Sequence, residues 1–459
     1  MLVCLDTVRA DAVEARGDAP PAMPALAAFC GEHTRFVDAS APASWTMPCV
    51  TSLLTGLSPE HHGVHGNGNA VGAVGSIAML AEYLKERGYV TTALTGGGWI
   101  LEQFGFAQGF DAFARYDALT FEDGGERLDR FVRTVDRTRP WFLFVHSYEA
   151  HDPYGVKRPP AGADDPATVA RVHAYVDTFR KGVQDPQSGD VPEGVDPVDL
   201  LVRWRSEPIT FFALSSPRVG RDVVERVVFR WADTKFATDP HRAEIERTLR
   251  TRYEDGLRRV DAGFARLMEH LAPISAPEST VVIVTTDHGE AFGEHGVLGH
   301  GRYLADVLTR VLIAISAPGR VPTGGVRGGC SLIDVVPTVL ELVGLPAAEG
   351  LDGASLLPLA KGASRGRPVF AEEYRDHWKD GRAVPQRVAS VRGTRAKFVA
   401  TLDVETGAIM EEVFDLVRDP AEDHPLGAQE AVKFDELDAS SLDRVRARVA
   451  ALAKQTGTK

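Results

Sequence analysis

The sequence has few cysteines and lacks the long apolar and basic runs that mark several classes of protein. Four cysteines in 459 residues, without metal-ligand spacing, argue against a disulfide framework and predict buried free thiols. No apolar run reaches the ~18 residues that a membrane span requires. No Lys/Arg-rich tract accompanies the net charge of −13, which makes nucleic acids and anionic membranes poor candidate partners.

The N-terminus carries no signal-peptide pattern. The chain opens with a strand-like run, Met1-Leu2-Val3-Cys4-Leu5, instead of the charged and apolar regions of a secretory leader. From the sequence as it stands we expect a cytoplasmic protein. A core strand that begins at the first residue is short, so a periplasmic or secreted protein with an upstream leader stays open.

Three apolar runs typical of buried strands end in polar residues that bind metals or catalyse reactions. These residues are Asp6, His146 and the pair Asp287-His288. In open α/β sheets, ligands bind outside the carboxyl ends of the strands. We therefore expect these side chains at one edge of a sheet, although each strand-end acid alone is more often a helix cap or turn residue.

Strands alternate with helical patterns, which predicts an α/β fold with a large, mostly parallel central sheet flanked by helices. From residue 366 the pattern changes to strands separated by turns, which predicts a small antiparallel subdomain with a terminal helix. We expect a catalytic domain over residues 1–365 and the subdomain over residues 366–459. Residues 161–248 fit the alternation poorly and predict a helical insertion, either a cap that shapes substrate access or a solvated excursion.

Taken together, these features resemble the sulfatase family of the alkaline phosphatase superfamily. The resemblance spans almost the whole chain outside the insertion. It rests on Leu5-Asp6-Thr7-Val8-Arg9-Ala10-Asp11, on Ser52-Leu53-Leu54-Thr55-Gly56, on Thr286-Asp287-His288-Gly289-Glu290, on Gly299-His300-Gly301 and on Phe414-Asp415-Leu416. It implies the alkaline-phosphatase-like fold and a metal-dependent ester hydrolase.

The nucleophile motif departs from the family pattern. Sulfatases have Cys or Ser, any residue, Pro, any residue and Arg, whereas Thr46, Pro48 and Val50 stand at the defined places here. Formylglycine is therefore not expected, and Thr46 is the predicted nucleophile. A threonine sulfate ester would be released slowly, whereas a phosphothreonine is opened by attack at phosphorus beside a metal ion. The threonine therefore favours phosphorus over sulfur.

The resemblance implies one divalent cation held by Asp6, Thr46, Asp287 and His288. Sulfatases that use calcium have two adjacent acids at the first strand and Asp-Asn at the later one. An imidazole in place of a carboxylate favours zinc or manganese, with calcium as the alternative. A second cation with His146 as a ligand is the less favoured arrangement, and a core histidine is the favoured interpretation of His146.

The residues that face the ester are predicted from the same resemblance. His151, which precedes Pro153-Tyr154, contacts the anion or protonates the leaving group, and His300 assists. Arg302 is a candidate substrate-binding cation. The family's sulfate-gripping lysine and histidine are absent from Gly96-Gly97-Gly98-Trp99. Fewer fixed cations favour a monoanionic diester over a dianionic monoester.

The sequence therefore predicts a sulfatase-like, metal-dependent hydrolase of a phosphodiester or of a phosphonate or phosphate ester, with transfer to an acceptor as a variant. The substrate is a small-molecule, lipid or glycan ester. Two alternatives stay open: a sulfuric ester hydrolase that works without formylglycine, and a degenerate member that binds an anion without turnover. The oligomeric state is left open.

Overall fold

A computed structural model describes residues 1–15, 17, 19–65, 77–116, 125–154, 166–182, 192–206, 214, 221–276, 278–379 and 382–454. The strands are β1 (Leu2–Leu5), β2 (Thr34–Phe36), β3 (Ala39–Ser40), β4 (Val90–Thr95), β5 (Ala112–Arg115), β6 (Trp141–Ser147), β7 (Val282–Thr286), β8 (Ala291–Phe292), β9 (Leu298–Gly299), β10 (Ile313–Ser316), β11 (Gly324–Val326), β12 (Cys330–Ser331), β13 (Val369–Lys379), β14 (Arg382–Arg392), β15 (Ala396–Asp403), β16 (Ile409–Asp415) and β17 (Leu426–Gly427).

Helices lie between these strands. They are α1 (Pro24–Glu32), α2 (Thr46–Thr55), α3 (Pro59–His62), α4 (Leu80–Lys85), α5 (Gly125–Thr134), α6 (Pro166–Gly182), α7 (Pro197–Ser206), α8 (Arg221–Thr234), α9 (Arg242–Leu271), α10 (Asp306–Thr309), α11 (Val335–Leu342), α12 (Leu357–Ala360) and α13 (Ala439–Lys454). None of the helices in the described ranges has both the length and the apolar character needed to cross a bilayer.

The large sheet has eight strands in the order β11-β2-β10-β7-β1-β6-β4-β5. The five strands from β7 to β5 run parallel, whereas β10 is antiparallel to both of its neighbours. The predicted α/β fold with a mostly parallel sheet is thus confirmed, with one reversed strand that the sequence analysis did not identify.

The position of β1 between β6 and β7 creates the site. Leu5 pairs in register with Ser147 on one side and with Thr286 on the other. The residues that follow these strands therefore emerge side by side at the carboxyl edge of the sheet, as the strand-end pattern predicted.

Both faces of the sheet are buried. Val3 and Leu5 pack into one apolar cluster, and Leu2 and Cys4 pack into another on the opposite face. A strand covered on both faces needs apolar side chains at every position, which explains the uninterrupted apolar run of β1. All four cysteines are buried and free, which confirms the prediction of free thiols.

The described part of residues 161–248 is helical. Leu200, Trp204 and Val228 are fully or almost fully buried in the same apolar cluster as Val3 and Leu5. These helices therefore pack as part of the main body. The domain boundaries and an effect of this segment on substrate access remain predictions.

A separate five-stranded antiparallel sheet contains β13 to β17 in sequence order. Helix α13 packs Val445 and Val449 against this sheet, together with Val391 and Phe398. The predicted C-terminal sheet and terminal helix are therefore present. Strand β13 also carries Glu373, whose carboxylate reaches the segment that precedes Thr46.

Candidate active site

Asp6, His146 and Asp287 lie together at the carboxyl edge of the large sheet. One side-chain ligand atom from each lies within 4.8 Å of the others, and all three residues are buried. The Nε2 atom of His288 lies 3.8 Å from Asp6 Oδ1 and 3.5 Å from Asp287 Oδ2. We call these four residues and Thr46 the strand-end cluster.

The donor atoms of the strand-end cluster fit a divalent cation. Asp6 Oδ1 and Asp287 Oδ2 are buried and have no hydrogen-bond partner among the described residues. Asp287 Oδ1, in contrast, accepts hydrogen bonds from the backbone N–H groups of Thr7 and His288, at 3.1 and 2.8 Å. Two desolvated carboxylate oxygens are costly unless a cation or proton joins them. Carboxylate and imidazole together suit zinc or manganese.

Thr46 begins helix α2, and its hydroxyl faces the strand-end cluster. Its Oγ1 atom lies 3.4 Å from Asp6 Oδ2 and 3.1 Å from His288 Nε2. Pro48 is tolerated in the first turn because its missing N–H would have no intrahelical partner there. Gly56 ends the helix in the left-handed conformation, with φ of 73°. Thr46 is thus held at a helix N-terminus, where backbone N–H groups and the helix dipole favour an anion.

Cys49 does not replace Thr46. Its thiol is buried and bonds to the carbonyl of Ala43 at 3.3 Å. Burial raises the pKa of Cys49 well above its ordinary value, which disfavours the reactive thiolate. The geometry thus indicates a packing role for Cys49.

The hydrogen bond of His288 leaves Nε2 as the nitrogen available to a metal. Its Nδ1 lies 2.9 Å from the carbonyl oxygen of Gly289, and an acceptor there requires Nδ1 to carry the proton. Burial lowers the pKa of His288, so the ring is neutral and Nε2 has a free lone pair. Metal-binding histidines are commonly oriented in this way.

The two carboxylates of the strand-end cluster have opposite pKa shifts. Burial raises the pKa of Asp287 to about 7, and the charge of Asp6 adds to this effect. Burial acts in the same direction on Asp6, but the neighbouring His146 and the charge of His151 bring its pKa down to about 2. Without a cation the pair therefore holds between one and two negative charges near neutral pH, and a bound cation would favour two.

His151 is paired with Asp152 beside the strand-end cluster. Its Nδ1 lies 2.5 Å from Asp152 Oδ1, and the ring stacks on Tyr148 at a centroid distance of 4.2 Å. Burial alone would lower the pKa of His151, but the charge and hydrogen bond of Asp152 have the larger effect and raise this pKa to about 9. His151 is therefore protonated at neutral pH, and Nε2 is the nitrogen left to donate to an ester.

His300 bridges His151 and the strand-end cluster. Its ring centroid lies 4.9 Å from that of His151 and 4.6 Å from that of His288. Its Nδ1 lies 2.7 Å from Glu290 Oε2. A buried carboxylate therefore orients each of the two histidines, Asp152 for His151 and Glu290 for His300.

The structure brings together most of the residues predicted for the site. Asp6, Thr46, Asp287 and His288 converge, and His300 links them to His151. His146, for which a core role was favoured, is fully buried but also contributes to the possible metal site. Arg302, two residues beyond His300, is half-buried, and its substrate-binding role remains a prediction.

Three other histidines near helix α2 have structural partners. His61 pairs with Asp352 at 2.7 Å, His62 with Ser52 at 2.9 Å and His65 with Glu372 at 3.0 Å. These contacts indicate a structural or surface role for the three histidines.

Sequence analysis missed the residues that orient the histidines. Asp152 directly follows His151, and Glu290 lies two residues after His288. Their positions in the sequence could therefore have identified them. Arg205, a cation beside these two acids, comes from the predicted insertion, and its position in the sequence gives no indication that it reaches the site.

The fold and the strand-end cluster define a member of the alkaline phosphatase superfamily. The sulfatase family model matches residues 1–345, and the chain belongs to this family of ester hydrolases. The bovine (Bos taurus) arylsulfatase K is 27% identical over 215 residues, which is 46% of this chain and 38% of that protein. The match thus spans less than two-fifths of this relative's own length.

Solved structures with the same fold include enzymes of two kinds. BT4656, solved in complex with its substrate D-glucosamine-2-N,6-O-disulfate, has a TM-score of 0.66 at 15% identity and covers 99% of this chain and 97% of its own. The phosphonate monoester hydrolase of Silicibacter pomeroyi has a TM-score of 0.65 at 18% identity and covers 98% and 95%. Identities this low show a shared fold only.

Proposed function

We propose that the protein is a metal-dependent hydrolase of phosphodiesters or phosphonate esters, with Thr46 as the nucleophile. The position of Thr46 Oγ1, 3.1 Å from His288 Nε2 and 3.4 Å from Asp6 Oδ2, carries this proposal. A threonine that only stabilised the fold would not need its hydroxyl among carboxylate and imidazole ligand atoms.

The proposed cation ligands are Asp6, Thr46, Asp287 and His288, and His146 is close enough to contribute. When bound, a divalent cation acts as a Lewis acid that stabilises negative charge on the reacting oxygens. Zinc and manganese fit this mixed carboxylate and imidazole set better than calcium does.

Thr46 and His151 carry out the nucleophilic attack and the proton transfer to the leaving group. Thr46 Oγ forms a bond to phosphorus while the bond to the leaving oxygen breaks, and the hydroxyl proton passes to solvent. His151, protonated because of Asp152, donates its proton to the leaving oxygen. A water molecule then attacks phosphorus and gives a proton to His151, and Thr46 leaves with a proton from solvent. An acceptor alcohol in place of water would give transfer.

The identity of the nucleophile supports phosphorus over sulfur. Thr46 cannot form the aldehyde hydrate that would expel sulfate, whereas phosphorus accepts a second attack. Among phosphorus esters, the cations missing at Val50 and Gly97 favour a monoanionic ester over a dianionic phosphate monoester, because fewer fixed positive charges face the substrate.

Sulfate ester hydrolysis is the second candidate. It is favoured by the family and by the similarity to arylsulfatase K. A small-molecule, lipid or glycan ester fits either candidate.

The test is metal analysis of the purified protein combined with turnover of bis-p-nitrophenyl phosphate, p-nitrophenyl phenylphosphonate and p-nitrophenyl sulfate. We expect turnover of a phosphorus ester, its loss on chelation, and a fall of at least about 10³-fold in Thr46→Ala. Thr51→Ala is the matched control, because the Thr51 hydroxyl bonds to the carbonyl of Met47 within the same helix at 2.7 Å. Preference for the sulfate would overturn the assignment in favour of the second candidate. A metal-free protein inactive on all three esters would indicate an anion-binding family member.

A further inference from the structure

Arg205 is a buried arginine in the helical segment between β6 and β7. It lies near the end of helix α7, next to the fully buried Trp204, and its side chain is 5% exposed. A fully buried guanidinium needs compensating negative charge, because removing it from water is costly. Its partners are therefore informative about its role.

The partners of Arg205 are the two carboxylates that orient the site histidines. The Nη1 atom lies 3.9 Å from Asp152 Oδ2 and 3.6 Å from Glu290 Oε1. The other oxygen of each carboxylate holds Nδ1 of a histidine, His151 or His300. The guanidinium of Arg205 thus lies between Asp152, which follows β6, and Glu290, which follows β7.

Tyr154 completes this arrangement. Its hydroxyl lies 3.5 Å from Arg205 Nη1 and 3.4 Å from Glu290 Oε1, so it accepts from the arginine and donates to the glutamate. The side chain of Tyr154 is fully buried. The hydroxyl therefore restricts the guanidinium to the space between the two carboxylates.

Gly299 makes room for the guanidinium. A Cβ atom at this position would lie 2.7 and 2.8 Å from the two terminal nitrogens of Arg205. The glycine also has φ of 86°, a conformation that disfavours other residues. The residue directly before His300 thus accommodates Arg205, which ties the arginine to the site from a second direction.

We propose that Arg205 is a positioning residue through which the inserted helices fix the orientation of His151 and His300. Neutralising two adjacent carboxylates keeps both directed at their histidines instead of turning apart or toward water. The inserted helices are then a required part of the catalytic geometry. The consequence for turnover rests on the proposed function, whereas the geometric part does not.

A readout independent of activity tests the geometry. The proton that His151 donates from Nδ1 to buried Asp152 should give a far-downfield ¹H NMR resonance, identified by its loss in His151→Gln. We expect this resonance to shift or disappear in Arg205→Met. It should persist in Arg203→Met, the matched control on the same helix, because Arg203 pairs with Asp199 four residues earlier. Arg205→Lys, which keeps the charge, should retain it in part and serves as the test variant if Arg205→Met does not fold.

The kinetic test uses esters whose leaving groups differ in pKa. If Arg205 positions the acid, Arg205→Met should lose about 10- to 100-fold in kcat/KM with alkyl leaving groups. It should lose less than about 3-fold with p-nitrophenol, which departs without a proton. An unchanged resonance, or an equal loss across all leaving groups, overturns the proposal. If wild type turns over no phosphorus ester, the proposed function fails, and the resonance alone decides the positioning role.

Discussion

Removing the cation should make the stability of the protein fall as the pH rises, because Asp6 and Asp287 then lie together without a counter-charge. Burial, aided by Asp6, raises the pKa of Asp287 from 3.8 to about 7. An acid with a raised folded-state pKa contributes stability that is full below its unfolded pKa and is lost as the pH rises through the folded pKa. The lowered pKa of Asp6, about 2, acts only on acidification.

The expected magnitude follows from the size of the shift. A change from 3.8 to about 7, at about 1.4 kcal/mol per unit, amounts to roughly 4 kcal/mol. About 3 kcal/mol of this is lost between pH 5 and pH 8, because part of the penalty is already present at pH 5. A bound cation stabilises both charged carboxylates and should remove the loss.

The assay compares chelated wild type with chelated Asp287→Asn. Free energies of unfolding from urea denaturation are measured for both proteins at pH 5 and pH 8. Wild type should lose about 3 kcal/mol more than the variant over this interval, and added zinc or manganese should restore wild type at pH 8. Equal pH dependence of the two chelated proteins would refute the reasoning, because the loss of stability would then not come from the burial of Asp287 and its repulsion by Asp6.

Two further substitutions test how the C-terminal sheet supports the site and the fold. Glu373→Ala removes the carboxylate that accepts hydrogen bonds from Ser44 N and Oγ, at 3.2 and 2.6 Å. The segment before Thr46 is then less firmly held, and kcat should fall by about 10- to 100-fold. An unchanged kcat would contradict this role. Lys397→Met removes the ammonium that lies 2.9 Å from the buried Glu422; Asp306 keeps its ion pair with Arg392 at 2.8 Å, but Glu422 loses this partner, which should reduce stability by about 3 kcal/mol. A melting temperature equal to that of wild type would disprove this estimate.

The elements of the fold were predictable where one local rule determines them. The apolar run of β1 reflects burial on both faces, and the predicted strand before Asp287 is β7, Val282–Thr286. The order of the strands was not predictable, because pairing between residues almost 300 positions apart leaves no periodic signal. The reversed direction of β10 was missed for the same reason.

The candidate site divides in a similar way. Asp6 and Asp287 directly follow apolar strands, and the carboxyl ends of parallel strands meet at one edge of a sheet, so their convergence was predictable. The acids behind the histidines were harder to recognise, because a carboxylate next to a histidine is common in solvated turns. Arg205 was the hardest, since an arginine in a charged helical stretch is usually at the surface. Only the three-dimensional packing of α7 places it between two buried carboxylates.

The charges of the site lead to a final argument about its substrate. Asp6, Asp152, Asp287 and Glu290 are buried carboxylates, and the cationic groups among them are Arg205 and protonated His151. With Asp6 and Asp287 both ionised, the four acids exceed these cations by two charges, and an anionic ester would meet a net negative site unless a divalent cation compensates for them. With the cation the site is close to neutral, and a monoanionic diester adds one charge whereas a dianionic monoester adds two. We therefore expect turnover to depend on the metal and to favour the diester.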